Sequence, residues 1–185
     1  MGLNEFAVAI PFIGIGGMIF AIATYLYIKR FPPGNELMVK IAEHIHTGAM
    51  VFLKREYQII AIFMVGMFVI LSLFLTLWTG IAFLTGACCS MLAGFLGMKA
   101  ATRSAPRACQ GAIDGGTPLA LSIAFKGGSV MGISVASLGV IGLGIFYYFT
   151  KNPLIINGFA MGASSIALFA RVGGGIYTKS ADIGA

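Results

Sequence analysis

The sequence predicts an all-α protein: a polytopic membrane helix bundle of five transmembrane helices, with the N-terminus outside and the C-terminal end in the cytoplasm. Three observations predict it. Across 185 residues, 58% are hydrophobic and only 10% are charged, with a mean hydropathy of +0.95, whereas soluble domains carry roughly 25% charged residues. Five segments, near 6–28, 58–79, 81–98, 128–149 and 154–171, are apolar over close to the length of about 20 residues that a helix needs to cross hydrocarbon. The basic residues fall between those segments on alternate sides. Helices are required because backbone polar groups find no water in the bilayer core, and the alternating ten-residue strands of a membrane barrel are absent. Residues 1–185 therefore read as a single membrane domain.

The first segment, 6–28, has its cations after the apolar run and no basic stretch before it, which fits a reverse anchor rather than a cleaved signal. Lys29, Arg30, Lys40, Lys54 and Arg55 follow it, and Lys99, Arg103 and Arg107 follow the third segment. On the other side stands only Lys151, with Glu5 in the N-terminal tail. The net charge of +6 is thus a topology signal and points to no nucleic-acid partner. By the positive-inside rule, the 29–57 and 99–127 loops and the C-terminal end lie in the cytoplasm.

Within the first loop, the breaker Phe31-Pro32-Pro33-Gly34 is followed by Asn35, a residue suited to cap a helix. Leu37, Ile41, Ile45 and Phe52 recur near helical spacing, so an amphipathic helix should run on into the 58–79 segment. His44 and His46 point about 200° apart on such a helix and cannot share a metal. The second and third segments should form a hairpin joined at Trp78-Thr79-Gly80. Cys88 and Cys89 are adjacent, poor geometry for a disulfide; with Cys109 they read as small apolar packing residues.

The fourth element starts beyond a Gly115-Gly116 break, where Thr117-Pro118 looks like a helix start. From Pro118 to Phe149 it would be about 48 Å long, against a hydrocarbon core of about 30 Å. Its first third, including Lys126, should project into the cytoplasm, with Lys126 snorkelling at the interface. Glycines concentrated in the spans let helices approach closely in lipid.

The fifth segment continues past 171 as a single helix to 185 and has no stop signal after Asp182, so the sequence reads as part of a longer protein. At about 100° per residue, Asn157, Ser164, Arg171 and Thr178 drift by only about 20° at each step, and Asp182 returns to within about 20° of Arg171. One face thus presents a polar stripe. Arg171 to Asp182 spans about 16 Å, which puts Arg171 inside the membrane and Lys179 with Asp182 at its cytoplasmic surface. A charge within the bilayer costs about 2.5–3.5 kcal/mol on insertion scales and usually faces protein or water. Lys179 is a point-charge donor suited to phosphate oxygens, and Asp182 could hold Mg²⁺. The bland reading is an i,i+3 ion pair between Lys179 and Asp182, with Arg171 satisfying helix carbonyls.

The run Arg171-Val-Gly-Gly-Gly-Ile-Tyr-Thr-Lys-Ser-Ala-Asp182 closely resembles the fifth-helix motif of membrane-bound, ion-translocating inorganic pyrophosphatases. Three upstream runs resemble the family in the right order: Phe52-Leu-Lys-Arg-Glu-Tyr57, Gly97-Met-Lys-Ala-Ala-Thr-Arg103 and Ala124-Phe-Lys-Gly-Gly-Ser-Val-Met-Gly132. The resemblance implies a homodimer of sixteen-helix protomers that hydrolyses pyrophosphate in a cytoplasmic, magnesium-filled funnel and drives H⁺ or Na⁺ outward. It implies that Lys179 contacts pyrophosphate, that Asp182 binds Mg²⁺ through pyrophosphate, and that Arg171 belongs to the ion-coupling region beneath. Mg²⁺ is the implied cofactor, K⁺ a further candidate, and the cell membrane of a prokaryote the implied location.

The chain departs from that family by ending at Ala185, where the motif would continue into further acidic residues and eleven more helices. No catalytic residue is assigned within it, the partners include the missing C-terminal helices, and the 185 residues alone are expected to be inactive. A Pro106 in the third-to-fourth loop is a smaller departure. Two other readings stay open on the residues alone: a stand-alone five-helix scaffold or binding subunit, and a small channel lined by the stripe.

Overall fold

The computed structural model describes residues 3–184, with side chains from Ala9 onward except Ala181. The side chain of Glu5, assigned above to the outer face, lies outside the described residues. Four helical elements make up the chain: α1 (Leu3–Ile28), α2 (Glu36–Phe74), α3 (Leu77–Thr150) and α4 (Pro153–Gly184). Each is long and apolar enough to cross a membrane, and no strand is found among the described residues.

The connections follow local chemistry. After α1 the chain turns through Pro32, Pro33 and Gly34, the last with φ of 99°, a left-handed value that glycine adopts at little cost. Asn35 then caps α2: its side chain accepts from the Met38 amide at 2.9 Å, satisfying one of the orphan donors of the first turn. The amphipathic stretch does run on into the second apolar segment as one helix, as far as Phe74, because nothing between them breaks the ladder.

The hairpin break is not at Trp78-Thr79-Gly80 but three residues earlier, at Leu75 and Thr76. The Thr76 hydroxyl accepts from the Thr79 amide at 3.2 Å and makes Thr76 the N-cap of α3. Capping chemistry decides the boundary, and Gly80 serves packing instead: a Cβ there would overlap the Ser72 hydroxyl of α2.

The 99–127 stretch keeps the helix expected from Pro118, and its 99–114 part, expected as a loop, is helical too. α3 is helical through it and is interrupted only at Gly115 (φ −139°, ψ 15°) and Gly116 (φ 67°, ψ −164°). Cations locate a segment relative to the membrane; they say nothing about its conformation, and alanines favour helix here. At the two glycines the helix folds back on itself, as shown by Gly97 against Met131, Ser104 against Gly127, and Gly111 against Ile123. The segments expected separately at 81–98 and 128–149 are therefore the two legs of α3. Pro106 sits inside the first leg, where the Arg107 guanidinium donates to the Arg103 carbonyl at 2.6 Å and to that of Phe31 at 3.1 Å. Burial and the neighbouring Arg103 pull the Arg107 guanidinium below its ordinary value, but an arginine remains charged.

Between α3 and α4, Lys151 takes a left-handed φ of 47° and Asn152 accepts from the Leu154 amide at 3.0 Å. Pro153 opens α4, where its missing N–H costs nothing.

α3 is the hub. α1 packs on its second leg through Ile28, Ile123 and Val130, joined by Ala100 of the first leg. α2 and α4 pack on the first leg around Ile60, Met64, Ala87 and Ile166, and among the described residues α1 approaches neither of them closely. The α3–α4 crossing is a backbone-to-backbone approach: a Cβ on Gly86 would overlap the Phe159 carbonyl, and one on Gly162 that of Phe83. Small residues of this kind substitute in lipid for the hydrophobic drive that water supplies elsewhere.

Candidate functional site: the polar face of α4

α4 runs unbroken from Pro153 to Gly184, so the angular count along it holds. Its packed face carries Ile155, Gly158, Phe159, Gly162 and Ile166, all buried. Counting about 100° per residue from Ile166, Asn157, Ser164, Arg171, Lys179 and Asp182 lie about 140–180° away and Thr178 about 120° away; all six are exposed. The stripe and the packing face are on opposite sides of one rod.

The hydroxyls on and beside the stripe are spent locally. Ser164 donates to the Ala160 carbonyl, Ser165 to that of Met161 at 2.7 Å, and Thr178 to that of Gly175 at 3.0 Å. The charged groups are not. Among the described residues, Arg171, Lys179 and Asp182 make no side-chain hydrogen bond or ion pair, and Lys179 and Asp182 are not paired with each other. The i,i+3 pair expected on the bland reading is thus not formed.

No cluster of three or more His, Cys, Asp or Glu side chains is found among the described residues, so Asp182 belongs to none. Mg²⁺ is commonly held by one or two carboxylates together with substrate phosphates and water. One aspartate with a lysine about one helical turn away fits the chain's share of such a site, and no more than that share.

The four runs singled out in the sequence meet in two pairs. Phe52 and Glu56 lie against Gly173, and the Phe52 ring is 5.0 Å from that of Tyr177, so the 52–57 run backs the start of the 171–182 run. Tyr57 anchors it by donating to the Met91 carbonyl at 2.6 Å. Gly97 lies against Met131, so the other two runs meet across the α3 fold. Sequence reasoning missed Glu56 as a neighbour of α4. Its only signal was membership of the 52–57 run.

The remaining polar residues serve structure. His46 Nδ1 is 2.8 Å from the Thr102 hydroxyl, which donates to the Met98 carbonyl. Arg103 pairs with Glu43 at 2.7 Å. Both contacts tie the N-terminal part of α2 to the first leg of α3. The three cysteines are free thiols.

The sequence pattern of the inorganic H⁺ pyrophosphatase family matches residues 15–185. The chain is 48% identical over 184 residues, 99% of its length, to a Clostridium tetani protein provisionally named a K⁺-stimulated pyrophosphate-energized sodium pump. It is 40% identical over 199 aligned positions, covering its whole length, to a K⁺-insensitive pyrophosphate-energized proton pump of Pyrobaculum aerophilum. With a K⁺-stimulated pyrophosphate-energized sodium pump of Thermotoga maritima the identity is 37%, over 95% of the chain. The chain spans 27% of the length of each of these relatives.

Proposed function

Because the chain belongs to the inorganic H⁺ pyrophosphatase family, we propose that it is the N-terminal part of an integral membrane pump in which pyrophosphate hydrolysis on the cytoplasmic side drives H⁺ or Na⁺ outward. The observation that carries this reading is the separation of faces on α4. Ile155, Phe159 and Ile166 seat the helix on its neighbours, leaving Arg171, Lys179 and Asp182 on the opposite side, unpaired among the described residues.

In this reading α1, α2, the two legs of α3 and α4 make five crossings, with the N-terminus outside and the end of α4 in the cytoplasm. The distribution of Lys29, Arg30, Lys40, Lys99 and Arg103 against Lys151 supports that orientation. Lys179 binds pyrophosphate oxygens as a compact point charge, and Asp182 supplies one carboxylate to Mg²⁺. Bound Mg²⁺ would neutralise phosphate charge. Arg171, about 16 Å down the helix from Asp182, sets a fixed positive potential in the ion path below. Further carboxylates for Mg²⁺ and the group that orients the attacking water are assigned to the rest of a longer, homodimeric protein in a prokaryotic cell membrane. K⁺ is a candidate activator, since the relatives include K⁺-stimulated and K⁺-insensitive pumps.

The test is magnesium-dependent pyrophosphate hydrolysis by the full-length protein. Lys179→Ala and Asp182→Ala should each lower turnover by more than about tenfold, a rise of at least about 1.4 kcal/mol in the barrier. Near-normal turnover in both variants would remove the site.

A further inference from the structure

Away from the α4 stripe, a groove of about 710 Å³ runs between α1 and the second leg of α3, lined by Phe20, Ala23, Tyr27, Phe125, Lys126 and Ile133. Its walls are apolar, and Phe20 and Phe125 are 60% and 80% exposed. Beside the Tyr27 hydroxyl, its unspent polar content is one charged group. The Thr24 and Ser129 hydroxyls on its walls donate to the carbonyls of Phe20 and Lys126 on their own helices, both at 2.8 Å. Lys126 is left as the free donor: its Nζ stands 4.5 Å from the centre of the Tyr27 ring, and no carboxylate among the described residues pairs with it. Lys29 and Arg30, both exposed, follow Tyr27 within one turn, with Lys29 over the Tyr25 ring rather than on the groove wall; the groove itself is apolar along its length, with the Lys126 charge at one end.

That geometry points to a binding site for an anionic phospholipid, with one acyl chain along Phe20, Ala23 and Ile133 and its phosphate on the Lys126 ammonium. The Tyr27 ring holds the ammonium at the groove mouth while leaving its N–H donors open. Charge complementarity selects this occupant. An anionic lipid carries its charge at the headgroup level by construction, where basic residues at the cytoplasmic leaflet attract it. The inference rests on membrane embedding and is independent of the pyrophosphate reading.

The experiment uses the full-length protein with its cysteines replaced by alanine and a bimane fluorophore on Thr24→Cys. It is reconstituted in phosphatidylcholine containing a minor fraction of lipid brominated in its acyl chains. Brominated phosphatidylglycerol should quench with about fivefold preference over brominated phosphatidylcholine, the ratio expected from one lysine near an anionic headgroup. Lys126→Gln should abolish the preference and Lys126→Arg retain it. Raised salt should erode it in the unsubstituted background, a readout that stands even if Lys126→Gln misfolds. Equal quenching by the two lipids, a preference that survives Lys126→Gln or high salt, or crosslinking of the unlabelled Thr24→Cys thiol to another protein segment would each overturn the site.

Discussion

The carboxylate of Glu56 lies against Gly173, in the space that a side chain on Gly173 would need. This contact joins α2 to the first turn of the 171–182 run, and it sits roughly opposite Arg171 around the helix, two residues being about 200° apart. Glu56 therefore braces the back of the rod whose front carries the charged stripe.

Gly173→Val should destabilise the full-length protein by about 1–3 kcal/mol, the usual cost of overpacking. Because the obstructing atoms belong to a flexible side chain, Glu56→Ala should recover part of the loss. Thermal unfolding of the single and double variants in detergent measures both. Strictly additive effects would show that the two residues are not in contact.

Gly86→Ala and Gly162→Ala should be worse than Gly128→Ala or Gly139→Ala. The first pair would meet the Phe159 and Phe83 carbonyls, which cannot rotate away, whereas the second pair faces open space. There, replacing glycine by alanine in a helix is worth up to about 1 kcal/mol in favour of the variant. Reversal of that order in the same unfolding assay would contradict the α3–α4 crossing.

Under the function proposed above, Arg171→Ala removes a fixed positive charge from the ion path and should lower the number of ions moved per pyrophosphate hydrolysed. Lys would keep the charge but not the planar donor fork, so Arg171→Lys should retain more coupling than Arg171→Ala. Proteoliposome transport divided by hydrolysis is the readout, and an unchanged ratio in Arg171→Ala would end its coupling role.

The Arg103–Glu43 pair is half-exposed, so a double-mutant cycle should yield only about 0.2–1 kcal/mol. That coupling should shrink with added salt. A larger, salt-insensitive value would mean that the pair is shielded from water in the full-length protein.

What was legible in the sequence was whatever one helix decides for itself. Apolar length marked the membrane-crossing stretches, Asn35 announced the start of α2, Gly115 and Gly116 announced the break in α3, and seven-residue spacing placed Asn157, Ser164 and Arg171 on one face of α4. Those properties depend on neighbours within a turn or two. The end of α2 was misplaced because a cap at Thr76 competes with an equally plausible turn at Trp78–Gly80, and only the geometry of the first turn settles the competition. The 99–114 stretch was mistaken for a loop because its cations report depth rather than conformation. Tertiary structure alone decided that the α4 stripe is the unpacked face, that Glu56 backs Gly173, and that Lys126 stands over Tyr27. Each depends on which helix surfaces come close enough to touch, and residues such as Glu56 and Gly173 are far apart along the chain.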